Sequence, residues 1–525
     1  MKVTYVGWRW LYGAVLSALL LGAAMADSRV EPAGFIAEDT PWETPYYVVD
    51  SGIEGPTVLI TGGVHGNEPA GFRAAEQIRH WPIVRGKLVI VPLANVPGLR
   101  KDTRYLPGVD EDLKDLNRNF PKGLKTTEVP RGELALALWS LVRETAPDWM
   151  LDLHEGTDFN ISHQPKKGKK RSVGSSIIHF ENERTTPIVT EMLAVVNATV
   201  EREDRKYVPL KRGPISGSLA RAAALVLPEC EGMILETTIR DQPISLRSRQ
   251  HRMMVNSFLK QQEMIAQDCV DLLAGPQQEG LVRVAFFDGP GTGPAGKDNV
   301  PRILDEAPDT EIHYVGPEDL RPEVLQQFEV VFFPGGSGSK QAGAIGKNSQ
   351  HLRSFVEQGG GYIGVCAGAY LCSAHYSWSL DLVDSSVFTG AREIEGVGKK
   401  QMWYRGKATD VEVELTPEGA SIFRSVPERF EVRYSNGPII SPADHPELDD
   451  YLPLAYYRSE KVLYEPQRGT MVDTPAIVSG NFGEGRVISI SPHPETVAAL
   501  ESIIADSVRW VAETQDPAEA LALPK

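Results

Sequence analysis

The sequence predicts an α/β protein made of two α/β domains, and three observations carry that prediction. β-rich apolar runs alternate with helix-patterned segments in two separate blocks. Between the blocks, Ala274-Gly275-Pro276-Gln277-Gln278-Glu279-Gly280 interrupts both periodicities with Gly, Pro and polar residues. The length of 525 residues exceeds what a single core of ~150 residues would account for. The expected division is a leader at 1–26, a first domain at 27–274, a linker at 275–280 and a second domain at 281–525.

In the first block the runs at 57–61, 87–93, 149–153 and 233–237 read as strands. Helical periodicity covers 70–80, 133–144, 187–197 and a long stretch from about 246 to 273. In the second block, strands are expected at 282–287, 330–333, 362–365, 476–479 and 487–491. Alternation of this kind implies largely parallel sheets, whose functional residues sit at the carboxyl ends of strands.

The composition, 42% apolar and 24% charged, is that of a globular chain. A formal net charge of −16 excludes a general nucleic-acid or anionic-membrane binder, so any affinity for anions must be local. Lys2 and Arg9, the apolar run 11–24 and Ala24-Met25-Ala26 read as a cleaved secretory signal, which makes the expected location periplasmic or secreted. The run is shorter than the ~20 residues of a comfortable span, so no stable membrane span is expected after cleavage. Four cysteines are too few for a disulfide scaffold, and sequence leaves open whether Cys230 and Cys269 pair. The run 166–171, with four Lys and one Arg, reads as a solvated loop that could also steer an acidic substrate.

The run 57–61 ends in Gly62-Gly63-Val64-His65-Gly66-Asn67-Glu68, where an imidazole and a carboxylate three residues apart can converge on one ion. His154, at the end of another strand in Asp152-Leu153-His154-Glu155-Gly156, is the third candidate ligand. Two His and one Glu form a catalytic zinc set that leaves one position open, so the expected cofactor is a single Zn²⁺. Together with Asp115-Leu116-Asn117-Arg118-Asn119-Phe120-Pro121 and Met233-Ile234-Leu235-Glu236-Thr237-Thr238, these motifs resemble the zinc carboxypeptidase superfamily, in particular its succinylglutamate desuccinylase/aspartoacylase branch. The resemblance spans roughly 48–238 and implies a mixed sheet. It also implies that His65, Glu68 and His154 bind metal, that Asn117 and Arg118 hold a substrate carboxylate, and that Glu236 is the general base. The branch usually carries a β-rich C-terminal domain over the site. Here a long helix follows Glu236 instead, and a more open cleft suited to a peptide end is expected.

In the second block, Gly364-Val365-Cys366-Ala367-Gly368-Ala369-Tyr370 places a thiol on a strand-to-helix elbow, and Ser491-Pro492-His493-Pro494-Glu495 follows a later strand. Cys366, His493 and Glu495 then read as nucleophile, base and orienting carboxylate. With Phe333-Pro334-Gly335-Gly336-Ser337-Gly338, they resemble the class I glutamine amidotransferase-like superfamily, particularly the domain at the N-terminus of some biotin–protein ligases. The resemblance spans roughly 281–514 and implies a flavodoxin-like sheet with oxyanion donors at Gly336 and Ala367. Glutaminases continue Leu-Gly-x-Gln after the Cys, whereas this chain reads Ala367-Gly368-Ala369-Tyr370, which argues against glutamine hydrolysis. Cys372 reads as a buried small hydrophobe.

The expectation is an exported zinc hydrolase of amide bonds in a small acyl amino acid or a peptide, a cell-wall peptide among them. The second domain would be an accessory module or a Cys-dependent amidase. The alternative class is a catalytically inactive ligand-binding protein that retains both folds.

Overall fold

Continuous apolar runs become the central strands of two sheets. The computed structural model describes residues 32–123, 128–388, 391–396, 398–401, 408–461 and 470–513, and the expected leader lies outside them. The first sheet comprises β1 (Gly34–Ile36), β2 (Thr44–Asp50), β3 (Thr57–Thr61), β4 (Lys87–Val91), β5 (Trp149–Gly156), β6 (Ser176–His179), β7 (Val208–Leu210) and β8 (Glu231–Thr238). Its order is β1-β2-β4-β3-β5-β8-β6-β7. The middle four strands are parallel, while β2 and β6 join them antiparallel, which gives the mixed sheet that was expected. β3, β4 and β5 are almost wholly buried, as strands covered on both faces must be.

The second half begins with β9 (Val282–Phe287), β10 (Thr310–Val315), β11 (Val330–Phe333) and β12 (Gly361–Val365). It continues with β13 (Ser385–Val387), β14 (Ala391–Ile394), β15 (Gly398–Gln401), β16 (Thr409–Leu415), β17 (Arg429–Tyr434) and β18 (Ile440–Pro442). β19 (Leu452–Tyr457), β20 (Pro475–Phe482) and β21 (Gly485–Ile490) close it. The large sheet runs β10-β9-β11-β12-β21-β20-β19-β16-β17, and β13/β18 and β14/β15 form separate ribbons. The parallel expectation holds for the first five strands. It fails beyond β21, where four strands add antiparallel, because a tight turn folds β20 directly onto β21 and leaves no room for a crossover helix.

The long helix also differs from its expected extent, running Ile244–Gln261 and stopping well before residue 273. Glu263 adopts a left-handed φ of 54° there, and the apolar Met264 and Ile265 that mimicked further helix turn back into the first core. Leu273 and Ala274 are buried in a core cluster of the second half. No helix among the described residues is long and apolar enough to cross a membrane. All four cysteines are free thiols, Cys372 is fully buried, and burial pushes its thiol up to about 12.

Candidate metal centre and cysteine site

Three parallel strands deliver the first site. The turn after β3 carries His65 and ends at Glu68, the residue capping the helix Pro69–Ile78, with the Glu68 N–H donating to the His65 carbonyl at 3.2 Å. Gly66 lets this turn lie flat on its neighbour, since a Cβ there would sit 2.0 Å from the carbonyl carbon of Gly98. His154 lies within β5 rather than after it, because β5 keeps pairing with β8 through Gly156 and Thr238. His154 is register partner of Glu236 in that pairing, so the two side chains leave the sheet on the same face.

Each imidazole is held from both ring nitrogens by carboxylates. His154 Nε2 is 2.8 Å from Asp152 Oδ2, and the other oxygen of Asp152 accepts from Thr61 Oγ1 at 2.6 Å. His65 Nε2 is 3.3 Å from Asp115 Oδ1. A neutral ring that keeps its proton on Nε2, toward Asp115 or Asp152, would present its Nδ1 lone pair to a cation. Those two Nδ1 atoms are 3.1 Å apart and lie 2.9 and 2.8 Å from the oxygens of Glu68. Two imidazole nitrogens and one carboxylate brought within 4.8 Å of one another can serve as the donor set of a cation, and two His with one Glu match a catalytic zinc set. The residues present therefore fit one zinc ion.

Charge is arranged around this point. Burial works against the charge on Glu68, but the flanking His65 and His154 outweigh it and hold the carboxyl well below its usual range. Burial likewise opposes the charge on Asp115, yet its hydrogen bond to His65 and the nearby Arg118 and Arg104 bring it down to about 2. For Glu236 burial, with Glu68 and Asp152 nearby, outweighs the opposing His154 and Arg104 and pushes the carboxyl up to about 8. Arg104 donates to Glu68 Oε1 at 2.9 Å, a contact that no sequence motif singled out. Asp115, which holds His65 from 50 residues away in the chain, was also missed.

The sequence-paired Asn117 and Arg118 take different positions. The Asn117 amide nitrogen lies 3.3 Å from Asp152 Oδ2 and 3.0 Å from His154 Nε2, and its oxygen accepts from the Leu219 N–H at 2.9 Å. Asn117 also lines the cavity above His154. Arg118 is 37% exposed and lines a cavity of about 600 Å³ above the His65, Glu68, His154 and Glu236 side chains. Arg104, Arg118, Lys170, Arg171, Arg212 and Arg221 all line that cavity, a local concentration of positive charge on an acidic chain. Residues 166–171 are exposed, as a solvated loop should be.

The second site forms where β12 passes into the short helix Ala367–Cys372. Cys366 holds φ 49° and ψ −92°, a strained left-handed elbow that only tight surroundings maintain. Its sulfur lies 3.8 Å from the Ser435 carbonyl. His493, just past β21, has Nδ1 at 2.8 Å from Glu495 Oε1, and Glu495 is fully buried. Gly335 must lack a side chain, because a Cβ there would sit 2.8 Å from His493 Cε1 and 3.5 Å from Cys366 Cβ. The structure thus brings Cys366, His493 and Glu495 together beside the loop carrying Gly336, with Ala367 at the start of the helix.

Burial draws the His493 imidazole down, but its hydrogen bond to Cys366 and its pairing with Glu495 outweigh this and carry it up to about 10. A histidine raised above its unfolded value near 6.5 stabilises the fold fully below that pH and loses the contribution as pH rises through about 10. The difference in unfolding free energy between the wild type and His493→Ala is therefore expected to be largest at pH 6 and to shrink toward pH 10. Denaturant titrations of both proteins across that range check it.

Comparison with known proteins places two matches on this chain. Residues 54–164 match the succinylglutamate desuccinylase/aspartoacylase catalytic domain, and residues 282–519 match the biotin-protein ligase N-terminal domain. The N-alpha-acetyl-L-2,4-diaminobutyric acid deacetylase of Halomonas elongata is 35% identical over 118 residues, which cover 21% of this chain and 32% of the relative. Among solved structures, the cell shape determinant protein Csd4 of Helicobacter pylori is 19% identical, covering 40% of this chain and 51% of that one with a TM-score of 0.33. A succinylglutamate desuccinylase/aspartoacylase from Rhodobacter sphaeroides is 21% identical, covering 45% of this chain and 63% of that one with a TM-score of 0.29. The chain thus spans about a third of the curated relative and about half of Csd4.

Proposed function

We propose that the chain is an exported, zinc-dependent hydrolase of amide C–N bonds in an N-acyl amino acid or a peptide, its second half serving as an accessory module or a Cys-dependent amidase. The observation that carries this reading is the convergence of the His65 and His154 Nδ1 atoms on Glu68, on the floor of a cavity that Glu236 also lines. The catalytic-domain match over residues 54–164 and the deacetylase relative support the same class. The export signal rests on residues 1–26 of the sequence.

When bound, the ion supplies Lewis acidity toward the scissile carbonyl and toward water. The chain's own residues do the rest. Asp115 and Asp152 hold both imidazoles from their Nε2 side, with Nδ1 turned to Glu68. Arg118 lines the cavity, donates from Nη1 to the Asn117 carbonyl at 2.6 Å and keeps donors that suit a substrate carboxylate, and the surrounding cations attract substrates of that charge. The Glu236 side chain has no hydrogen bond among the described residues and faces the same space, so it is placed to take a proton from the attacking water and return it to the leaving nitrogen.

Zinc-loaded protein comprising residues 27–525 is expected to release free amine from an N-acyl amino acid or a purified cell-wall peptide, with activity abolished by a chelator and restored by zinc. Cys366→Ser assayed alongside assigns the reaction to a site, since activity unchanged by it belongs to the first half alone. No cleavage across N-acetyl and N-succinyl amino acids and cell-wall peptides would contradict the reading.

A further inference from the structure

The helix Ile244–Gln261 buries the wrong kind of residue at its start. An ordinary packed helix buries an apolar stripe, yet here the buried positions of the first turns are Ser245, Arg247, Ser248, Gln250, His251 and Arg252, and apolar burial begins only at Met254. A buried polar group must find a partner. Four of these find theirs on the segments that carry the metal-site residues. Arg247 forms an ion pair with Glu155, the residue after His154. Ser248 Oγ donates to the Ala70 carbonyl at 3.3 Å, His251 Nε2 lies 3.2 Å from Thr237 Oγ1 beside Glu236, and Arg252 Nη1 donates to Gln77 Oε1 at 2.6 Å.

Glu155 is the link to the site itself. It follows His154 in β5, so its side chain leaves on the opposite face, away from the cavity floor. There its Oε2 accepts the Ala70 N–H at 2.8 Å, in the first turn of the helix that Glu68 caps. Its own N–H donates to Glu68 Oε2 at 3.1 Å. The Glu155 backbone therefore holds the Glu68 carboxylate while its side chain holds the helix start that aims it, and Arg247 pairs with that side chain where it has no exposed surface. The Arg247 helix is in turn anchored on the second half of the chain. Ser245 Oγ donates to the Asp288 carbonyl at 2.7 Å, and Arg252 Nη2 donates to Asp319 Oδ1 at 3.2 Å.

Resting on the metal-centre reading above, we infer that Arg247 is a positioning residue for the metal ligands, acting through Glu155 on Glu68 and His154 from behind the sheet. The second half of the chain then contributes to metal affinity by holding the helix that bears it.

The test measures zinc affinity by competition with a chelator of known affinity, the visible spectrum of the cobalt-substituted protein, and kcat and KM separately. The full chain is compared with Arg247→Met, Arg247→Lys and the neutral pair Arg247→Met/Glu155→Gln. Arg247→Met is expected to weaken zinc about 10–100-fold, as loss of an outer partner of a ligand does, to shift the cobalt spectrum, and to lower kcat with KM nearly unchanged. Arg247→Lys should recover most of the affinity. The neutral pair should recover thermal stability, because no charge is left buried alone, without recovering zinc affinity. Wild-type zinc affinity and cobalt spectrum in folded Arg247→Met, or full recovery of both in the neutral pair, would overturn the inference. A wild-type chain that binds no zinc overturns the underlying reading instead, so the two failures are distinct.

Discussion

Replacing Glu236 by Gln is expected to lower kcat by about 10²–10⁴-fold, the usual contribution of a positioned acid–base group, while zinc content stays at the wild-type level. The split follows from geometry. Glu236 shares the cavity with the ligand cluster, but among the described residues only His65, Glu68 and His154 bring ligand atoms within 4.8 Å of one another. An amide in place of a buried carboxyl also removes the burial cost that pushes Glu236 up to about 8, so the thermal midpoint should not fall. Steady-state rates beside metal analysis of the same preparation check this. Turnover unchanged in the variant would remove Glu236 from the proton-transfer role.

His154→Ala is expected to abolish both tight zinc binding and turnover, and to destabilise the metal-free chain as well. The second effect comes from Asp152, which has no exposed surface and loses the His154 Nε2 proton, keeping Thr61 Oγ1 at 2.6 Å and the more distant Asn117 amide at 3.3 Å. An acceptor left short of a partner at that depth costs about 1–3 kcal/mol. His154→Gln offers Asp152 a donor without an imidazole, so it should recover part of the stability and none of the metal. Chelator competition and denaturant unfolding separate the two quantities.

What could be read in the sequence depended on how far apart the cooperating residues lie. β3, β9 and β11 have the expected bounds because each is a short apolar-rich run closed by turn residues, Gly62, Asp288-Gly289 and Pro334 in turn. His65 and Glu68 share one turn, and His154 and Glu236 each stand in a strand motif, so local pattern was enough to propose them. Asp115 and Arg104 are 50 and 36 residues from their partners His65 and Glu68, and Arg247 is 92 from Glu155, with no motif to join them. The alternating burial of β17, in which Phe430, Val432 and Tyr434 point inward, is a period-two signal that was present and went unread. The overlong helix has the opposite cause, since Met264 and Ile265 continue a helical pattern that the left-handed Glu263 breaks.

The measurement that bears most directly on the central claim is the metal content of purified protein comprising residues 27–525, set against His65→Ala prepared identically. One tightly held zinc per chain, lost in His65→Ala, is the predicted result. A wild-type protein that holds no metal under zinc-replete conditions would contradict the account, leaving the Nδ1 atoms of His65 and His154 facing Glu68 without the cation their arrangement calls for.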